Sequence, residues 1–274
     1  MSTTEATASM SSLGSWTAAA RGLLDHLEDT QMEAIEQAAQ WSARAIAGGG
    51  LVHLFGSGHS RIPVEEMFPR YGSFPGFHPM VELSMTFHTQ VVGSNGQPQA
   101  MFIERMPGLA EVILSGFSFG DLDVMMIFSA SGRAAVPIEM ALGATSRGMK
   151  VVAVTSVAES SAQAATHDSG KRLSEIADLV IDIGTPPGDA LVTIDSLDTP
   201  IGPGSTLANA AVVNEIKVRT AELLVAAGTP PTVLTAASLV GDVRSADLFD
   251  RAYAEHARRL ARILQRPDPG ADRA

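Results

Sequence analysis

Four short apolar runs, each closed by a turn of small residues, constrain this chain more than any other feature of its sequence. Leu51 to Phe55 runs into Gly56-Ser57-Gly58, and Asp123 to Phe128 precedes Ser129-Ala130-Ser131-Gly132. Lys150 to Val154 precedes Thr155-Ser156, and Ala177 to Ile183 precedes Gly184-Thr185-Pro186-Pro187. Each run is too short for a helix and lacks polar alternation, as expected of strands covered on both faces. Helix-length patterns lie between them, at Ala134 to Arg147 and Leu207 to Ala227. Strands alternating with helices predict an α/β fold of three layers, a doubly wound and mainly parallel sheet flanked by helices. A further strand near Met80 to Phe87 would bring the sheet to five strands.

Flanking segments complete the plan. Residues 1–12 are rich in Ser, Thr and Ala without periodicity and read as a flexible tail. Apolar residues from Leu13 to Ala47 repeat at three- and four-residue spacing, predicting one or two amphipathic helices that end at Gly48-Gly49-Gly50. Residues 184–206 form a long connection rich in Gly, Pro and Asp, neither helical nor clearly extended, of the kind that orders around a ligand. After Gly228 and the turn at Pro230-Pro231, helical spacing resumes from Asp247 to Leu264, with Arg258, Arg259 and Arg262 toward the end where basic residues suit a helix. The expected division is therefore a tail at 1–12, one domain at 13–228, and a C-terminal helical extension at 229–274 packed on it.

Charge and composition exclude several functions. With 30 acidic against 19 basic residues and a net charge of −11, the chain lacks the basic face needed to displace counterions from nucleic acid. There is no cysteine, so no disulfide, thiolate nucleophile or Cys-ligated metal arises. Seven histidines are present, but none forms a metal motif such as His-x-x-x-His. No stretch approaches about 18 consecutive apolar residues, and the N-terminus lacks the basic and apolar regions of a leader, so a cytoplasmic protein without membrane partners is expected.

In an open parallel sheet, ligands bind outside the carboxyl ends of the strands, where helix N-termini offer free N–H groups to anions. The loops at those ends are Gly56-Ser57-Gly58-His59-Ser60, Ser129-Ala130-Ser131-Gly132-Arg133, and Thr155-Ser156. Glycines let the backbone approach phosphate oxygens, and hydroxyls add donors. A dinucleotide fingerprint fails because Arg61 stands where the third glycine belongs, and no Gly-Lys-Ser/Thr follows to make a P-loop. An anion site remains.

Gly-Ser-Gly-His-Ser after the first strand and Ser-Ala-Ser-Gly after a later one resemble the two signatures of the sugar isomerase (SIS) family, over about residues 35–228. Ala144-x-x-x-Gly148 before Lys150-Val-Val-Ala-Val-Thr155 extends the resemblance. The nearest likeness is to the phosphoheptose-isomerase-like group, with Glu65-Glu66-Met-Phe-Pro-Arg70-Tyr71 resembling its Glu-Glu…Arg-Tyr segment, in which the second glutamate is the acid/base. The chain would be a divergent branch. Its final active-site helix, from Ser205-Thr206 through Asn214-Glu215-Ile216-Lys217, carries Lys217 where the group has histidine, and Ala134 stands where another hydroxyl is usual.

The resemblance implies an aldose–ketose sugar-phosphate isomerase working through an enediol, with no organic cofactor and assembly as a homodimer or homotetramer. It implies Glu66, with Glu65 as competitor and Lys217 as partner, for proton transfer. Gly58, His59, Ser60, Arg70, Ser129, Ser131, Gly132, Arg133, Thr155, Ser205 and Thr206 would bind the phosphorylated sugar. Two rivals share these residues: a phosphosugar sensor without turnover, and a lyase or etherase that expels a C3 substituent after the same proton abstraction. Of the remaining histidines, His53 reads as a strand residue, while His78 and His88 read as loop residues that could meet another subunit's site. Met125 and Met126 read as core.

Overall fold

Residue alternation within the strands fixes how the layers pack. In the computed structural model, which describes residues 12–86 and 96–265, five strands form one all-parallel sheet: β1 (Val52–Gly56), β2 (Phe77–Met80), β3 (Val124–Phe128), β4 (Lys150–Thr155) and β5 (Leu179–Asp182). Their order is β2-β1-β3-β4-β5. Val52, Leu54, Val124, Met126, Phe128, Val152 and Val154 face one apolar layer. Phe55, Met125, Ile127, Val151 and Ala153 face the other. A period of two with both faces apolar is what a sheet sandwiched between helices requires.

The first layer holds α1 (Ser15–Thr30), α2 (Met32–Ala47), α3 (Ile62–Met67) and α8 (Ser205–Ala226). The second holds α5 (Leu109–Leu114) and α6 (Ala135–Ser146), with Ile103 of α4 (Gly96–Ile103) packed against it. Short α7 (Val157–Ser161) follows β4, and α9 (Ala237–Val240) and α10 (Asp242–Ile263) end the described chain. The N-terminal pattern resolves into two helices broken at Gln31, whose side-chain oxygen accepts the N–H of Asp182 at the end of β5, 2.9 Å away.

Three expectations are corrected. The strand expected near Met80 to Phe87 lies upstream at Phe77–Met80, followed by a 3₁₀ turn at Leu83–Met85. His78, expected in a loop, is a buried residue of β2. Its Nδ1 lies 2.9 Å from Nδ1 of His53 on β1, so each ring supplies the other's polar partner. Pro79 is tolerated because β2 is an edge strand. His88 lies outside the described residues, as do 1–11 of the expected tail. The connection at 184–206, expected to be irregular, contains an antiparallel hairpin of β6 (Ala190–Val192) and β7 (Ile201–Pro203). Each strand is only three residues long, too short to register as a periodicity.

The C-terminal segment is tied into the sheet's lower edge. Arg259 of α10 donates to the carbonyls of Ile46 (3.1 Å) and Gly50 (2.8 Å), and Arg262 donates to that of Gly49 (2.6 Å). These carbonyls end α2, where a helix leaves acceptors unsatisfied and favours positive charge. Leu234 and Ala252 from the same segment join the first apolar layer.

Candidate functional site

The strand order reverses between β1 and β3, and in an open parallel sheet that is where ligands bind, beyond the carboxyl ends of the strands. After β1 the chain turns immediately, because Gly56 carries no Cβ: one built there would lie 2.1 Å from the Ser60 carbonyl oxygen. Residues Gly58–Arg61 make a tight 3₁₀ turn, with Gly58 at φ +56°. Within it His59 is exposed and Ser60 half-buried. Ser57 precedes the turn and donates its hydroxyl to Glu104 Oε2 at 2.7 Å.

The loop after β3 is built from its own backbone. Gly132 adopts φ +58° and donates its N–H to Ser129 Oγ at 3.2 Å. Thr155 is fully buried and donates its hydroxyl to the Ala130 carbonyl at 3.1 Å, holding the loop from beneath. Ala134 then occupies the N-cap of α6 with no side-chain cap. In that first turn the Val136 N–H goes to the Glu104 carbonyl, and Pro137 has none. Ser131, Arg133, Ala134 and Ala135 border a cavity of about 450 Å3 that this helix end opens into. Arg133 donates from Nη1 to Gln163 (2.6 Å) and lies 3.8 Å from Glu159, while its Nε is buried without a partner.

Opposite walls of that cavity are polar: Glu104 and Arg105 after α4, Glu139 on α6, and Gln163, Thr166, His167 and Asp168 after α7. Glu139 accepts the N–H of Gly108 at 2.8 Å and faces His167 Nε2 at 3.5 Å. None of Glu104, Glu139 and His167 stands in a motif, and they are far apart in sequence, so only the fold brings them together.

Glu66 belongs to the other layer. Its carboxylate accepts from Asn214 Nδ2 of α8 at 3.0 Å and from Arg70 one turn on. Lys217 Nζ donates to the backbone carbonyl of Glu66 (2.9 Å) and to Asn214 Oδ1 (3.1 Å). Burial pushes the Glu66 carboxyl up, but the hydrogen bonds from Asn214 and Arg70, with the charges of Arg70 and Lys217, outweigh it and hold it below the usual range. Burial lowers the Lys217 ammonium, against the pull of Glu66. Glu65 points outward, 57% exposed, with Arg61 3.9 Å away. Of the adjacent pair, Glu66 is the one held by α8. Asn214 orients it, a residue whose polar side chain carried no distinguishing signal in sequence.

Ser205 is committed locally. Asp189, at φ +61°, accepts the N–H of Gly204 (3.1 Å), the N–H of Ser205 (2.8 Å) and the Ser205 hydroxyl (2.5 Å), occupying the N–H groups at the very start of α8. Thr206 is half-buried beside it. The structure thus brings Ser131, Gly132 and Arg133 together at the α6 end, sets Glu66, Arg70 and Lys217 together at the α3–α8 contact, and places Ser205 and Thr206 at the start of α8. Among the described residues no three His, Asp or Glu side chains converge as a metal cage, and no helix is long and apolar enough to cross a membrane.

Comparison with known proteins adds to this geometry. A family model described as SIS domain matches residues 15–156. A UPF0309 protein of Oceanobacillus iheyensis is 34% identical over 229 residues, covering 83% of this chain and 91% of that protein. A UPF0309 protein of Streptomyces avermitilis is 32% identical over 244 residues, covering 88% and 94%. The structure of a phosphoheptose isomerase from Francisella tularensis superposes with a TM-score of 0.50 at 16% identity, over 78% of this chain and all of that one. That last likeness is one of fold.

Proposed function

Because this chain belongs to the SIS domain family, we propose that it binds a phosphorylated sugar beyond the carboxyl ends of β1 and β3 and interconverts aldose and ketose forms with Glu66 as the acid/base. One observation carries the binding half: Ser131, Arg133 and the N-terminus of α6, which has no side-chain cap, border a single cavity at the point where the strand order reverses. Backbone N–H groups, a hydroxyl and a guanidinium are the donors a phosphate monoester needs.

In the reaction, a carboxylate removes the proton from C2 of the aldose and returns it to C1 of the enediol, while a second proton passes between O2 and O1. Glu66 is ionised and held by Asn214, as a base must be. Lys217 acts as a positioning residue: its Nζ is spent on the Glu66 carbonyl and on Asn214. Family resemblance supports a homodimer or homotetramer working without an organic cofactor.

A second reading, a phosphosugar sensor without turnover, is favoured by one specific feature. The Glu66 carboxyl is held low by Asn214 and Arg70, and a carboxylate stabilised in that way is a weaker base. Incubation with aldose and ketose phosphates in D2O, followed by NMR, separates the readings. Deuterium entry at C2 or C1 with ketose formation is the expected result. Loss of a C3 substituent identifies a lyase instead, and saturable binding without exchange across the panel assigns a sensor.

A further inference from the structure

The cavity beside the anion loop contains a group the proposed reaction does not use. His167 Nδ1 accepts from the Ser169 N–H at 3.2 Å and lies 2.9 Å from the Ser169 hydroxyl, which makes Nδ1 the acceptor and leaves the proton of the neutral ring on Nε2. That Nε2–H faces Glu139 Oε1 at 3.5 Å, too far for a good hydrogen bond. The two side chains are only 12% and 19% exposed, so both are fixed in the wall. A donor and an acceptor held rigidly, slightly too far apart to satisfy each other, match one hydroxyl group that accepts from Nε2–H and donates to the carboxylate. Glu104 repeats half of the pattern: one oxygen is committed to Ser57, and its carboxylate retains further lone pairs.

We propose that this cavity is the subsite for the hydroxyls on the phosphate-proximal part of the ligand's carbon chain, with the Glu139–His167 pair and Glu104 reading them and C1 and C2 lying outside it. The inference rests on the phosphosugar reading, and on its binding half alone. An anion at the α6 N-terminus has this cavity on its flank, because Ser131, Arg133 and Ala134 border both. The lining favours a polyol over an apolar group: three carboxylates, a histidine, a threonine and a glutamine stand there, against Pro107, Ala134 and Ala135. Glu66 lies across the sheet on the α8 layer, outside this lining. Discrimination between sugars therefore resides on the α6 side, apart from the α3–α8 contact. A site built to hydrogen-bond hydroxyls rejects an analogue lacking them, since its polar groups are then left unpaired.

Calorimetric titration tests this with inorganic phosphate, propyl phosphate, ribose 5-phosphate, glucose 6-phosphate and fructose 6-phosphate. The wild-type chain is expected to bind at least one sugar phosphate about tenfold or more tighter than propyl phosphate, the scale of one or two charge-assisted hydrogen bonds. Glu139→Gln and His167→Asn should each remove most of that preference while leaving propyl phosphate affinity unchanged. Asp168→Trp, at the exposed rim, should block the sugar phosphates and spare inorganic phosphate, which covers the case in which a dyad variant fails to fold. An undiminished preference in both dyad variants, or no preference in the wild type, overturns the subsite and leaves the anion site standing. Absence of binding to every probe, inorganic phosphate included, defeats the phosphosugar reading itself.

Discussion

Lys217 places its ammonium on the main-chain carbonyl of Glu66, 2.9 Å away, although 151 positions separate the two residues. With Lys217 only 4% exposed, that contact fastens α3 to α8 from within. Lys217→Met removes the donor and leaves the Glu66 carbonyl and Asn214 Oδ1 without it. A loss of about 1–3 kcal/mol is expected, the cost of stranding buried hydrogen-bonding groups. Urea denaturation measures it, and a change within about 0.5 kcal/mol, typical of a surface substitution, would remove Lys217 from this role.

Glu66 and Glu65 should separate cleanly. Glu66→Gln keeps an acceptor for Asn214 but cannot take a proton, so deuterium entry into a turned-over sugar phosphate is expected to fall by about a hundredfold or more, the usual scale of a general base. Glu65→Gln, on the exposed face, should leave the rate within about twofold. Loss in Glu65→Gln alone would reverse the assignment.

Acid should destabilise this protein through His78. Burial pushes its ring down to about 3, with the His53 and His256 charges adding and Asp123 opposing. In the unfolded chain a histidine titrates near 6.5. Between those values the unfolded state binds the extra proton, so stability is complete above about pH 6.5 and declines as pH falls toward 3. Asp123, which burial raises but which bonds from His53 and from the Gly120 and Leu51 amides hold lower on balance, acts in the same direction below about pH 4. Denaturation at pH 7, 5.5 and 4.5 should show a loss of a few kcal/mol, on the order of 1.4 per proton and pH unit. His78→Gln should flatten that slope, and an equally steep profile in the variant would exclude His78 as its source.

Arg259→Ala removes two hydrogen bonds to the carbonyls at the end of α2. A cost of about 1–3 kcal/mol follows, together with faster proteolysis between Gly228 and Gly241. Cleavage at the wild-type rate would show that α10 is held by its apolar face instead.

Much of the fold was legible because both-face burial leaves a clear mark: β1, β3 and β4 are buried along nearly their whole length, are mostly apolar and run into small residues. β2 was misplaced because its sequence, Phe-His-Pro-Met, contains a polar ring and a proline, and what makes His78 a strand residue is a second histidine 25 positions earlier. Residue type alone also cannot separate a hydroxyl that meets a ligand from one that holds the chain. Ser131 borders the cavity, whereas the Thr155 and Ser205 hydroxyls bond to Ala130 and Asp189. Glu139 and His167 left no trace in the sequence, since 28 positions separate them and their relation is created by the path after β4.

That path has a consequence for how such a chain can change. The stretch from Gln163 to Asp168 forms one wall of the cavity, yet it lies in no helix or strand and supplies no residue to either apolar layer. Substitution there alters what the cavity admits while leaving the folded scaffold nearly untouched. If the cavity is the subsite proposed above, ligand choice and foldability are carried by separate residues, and this short loop is where a change of ligand would begin.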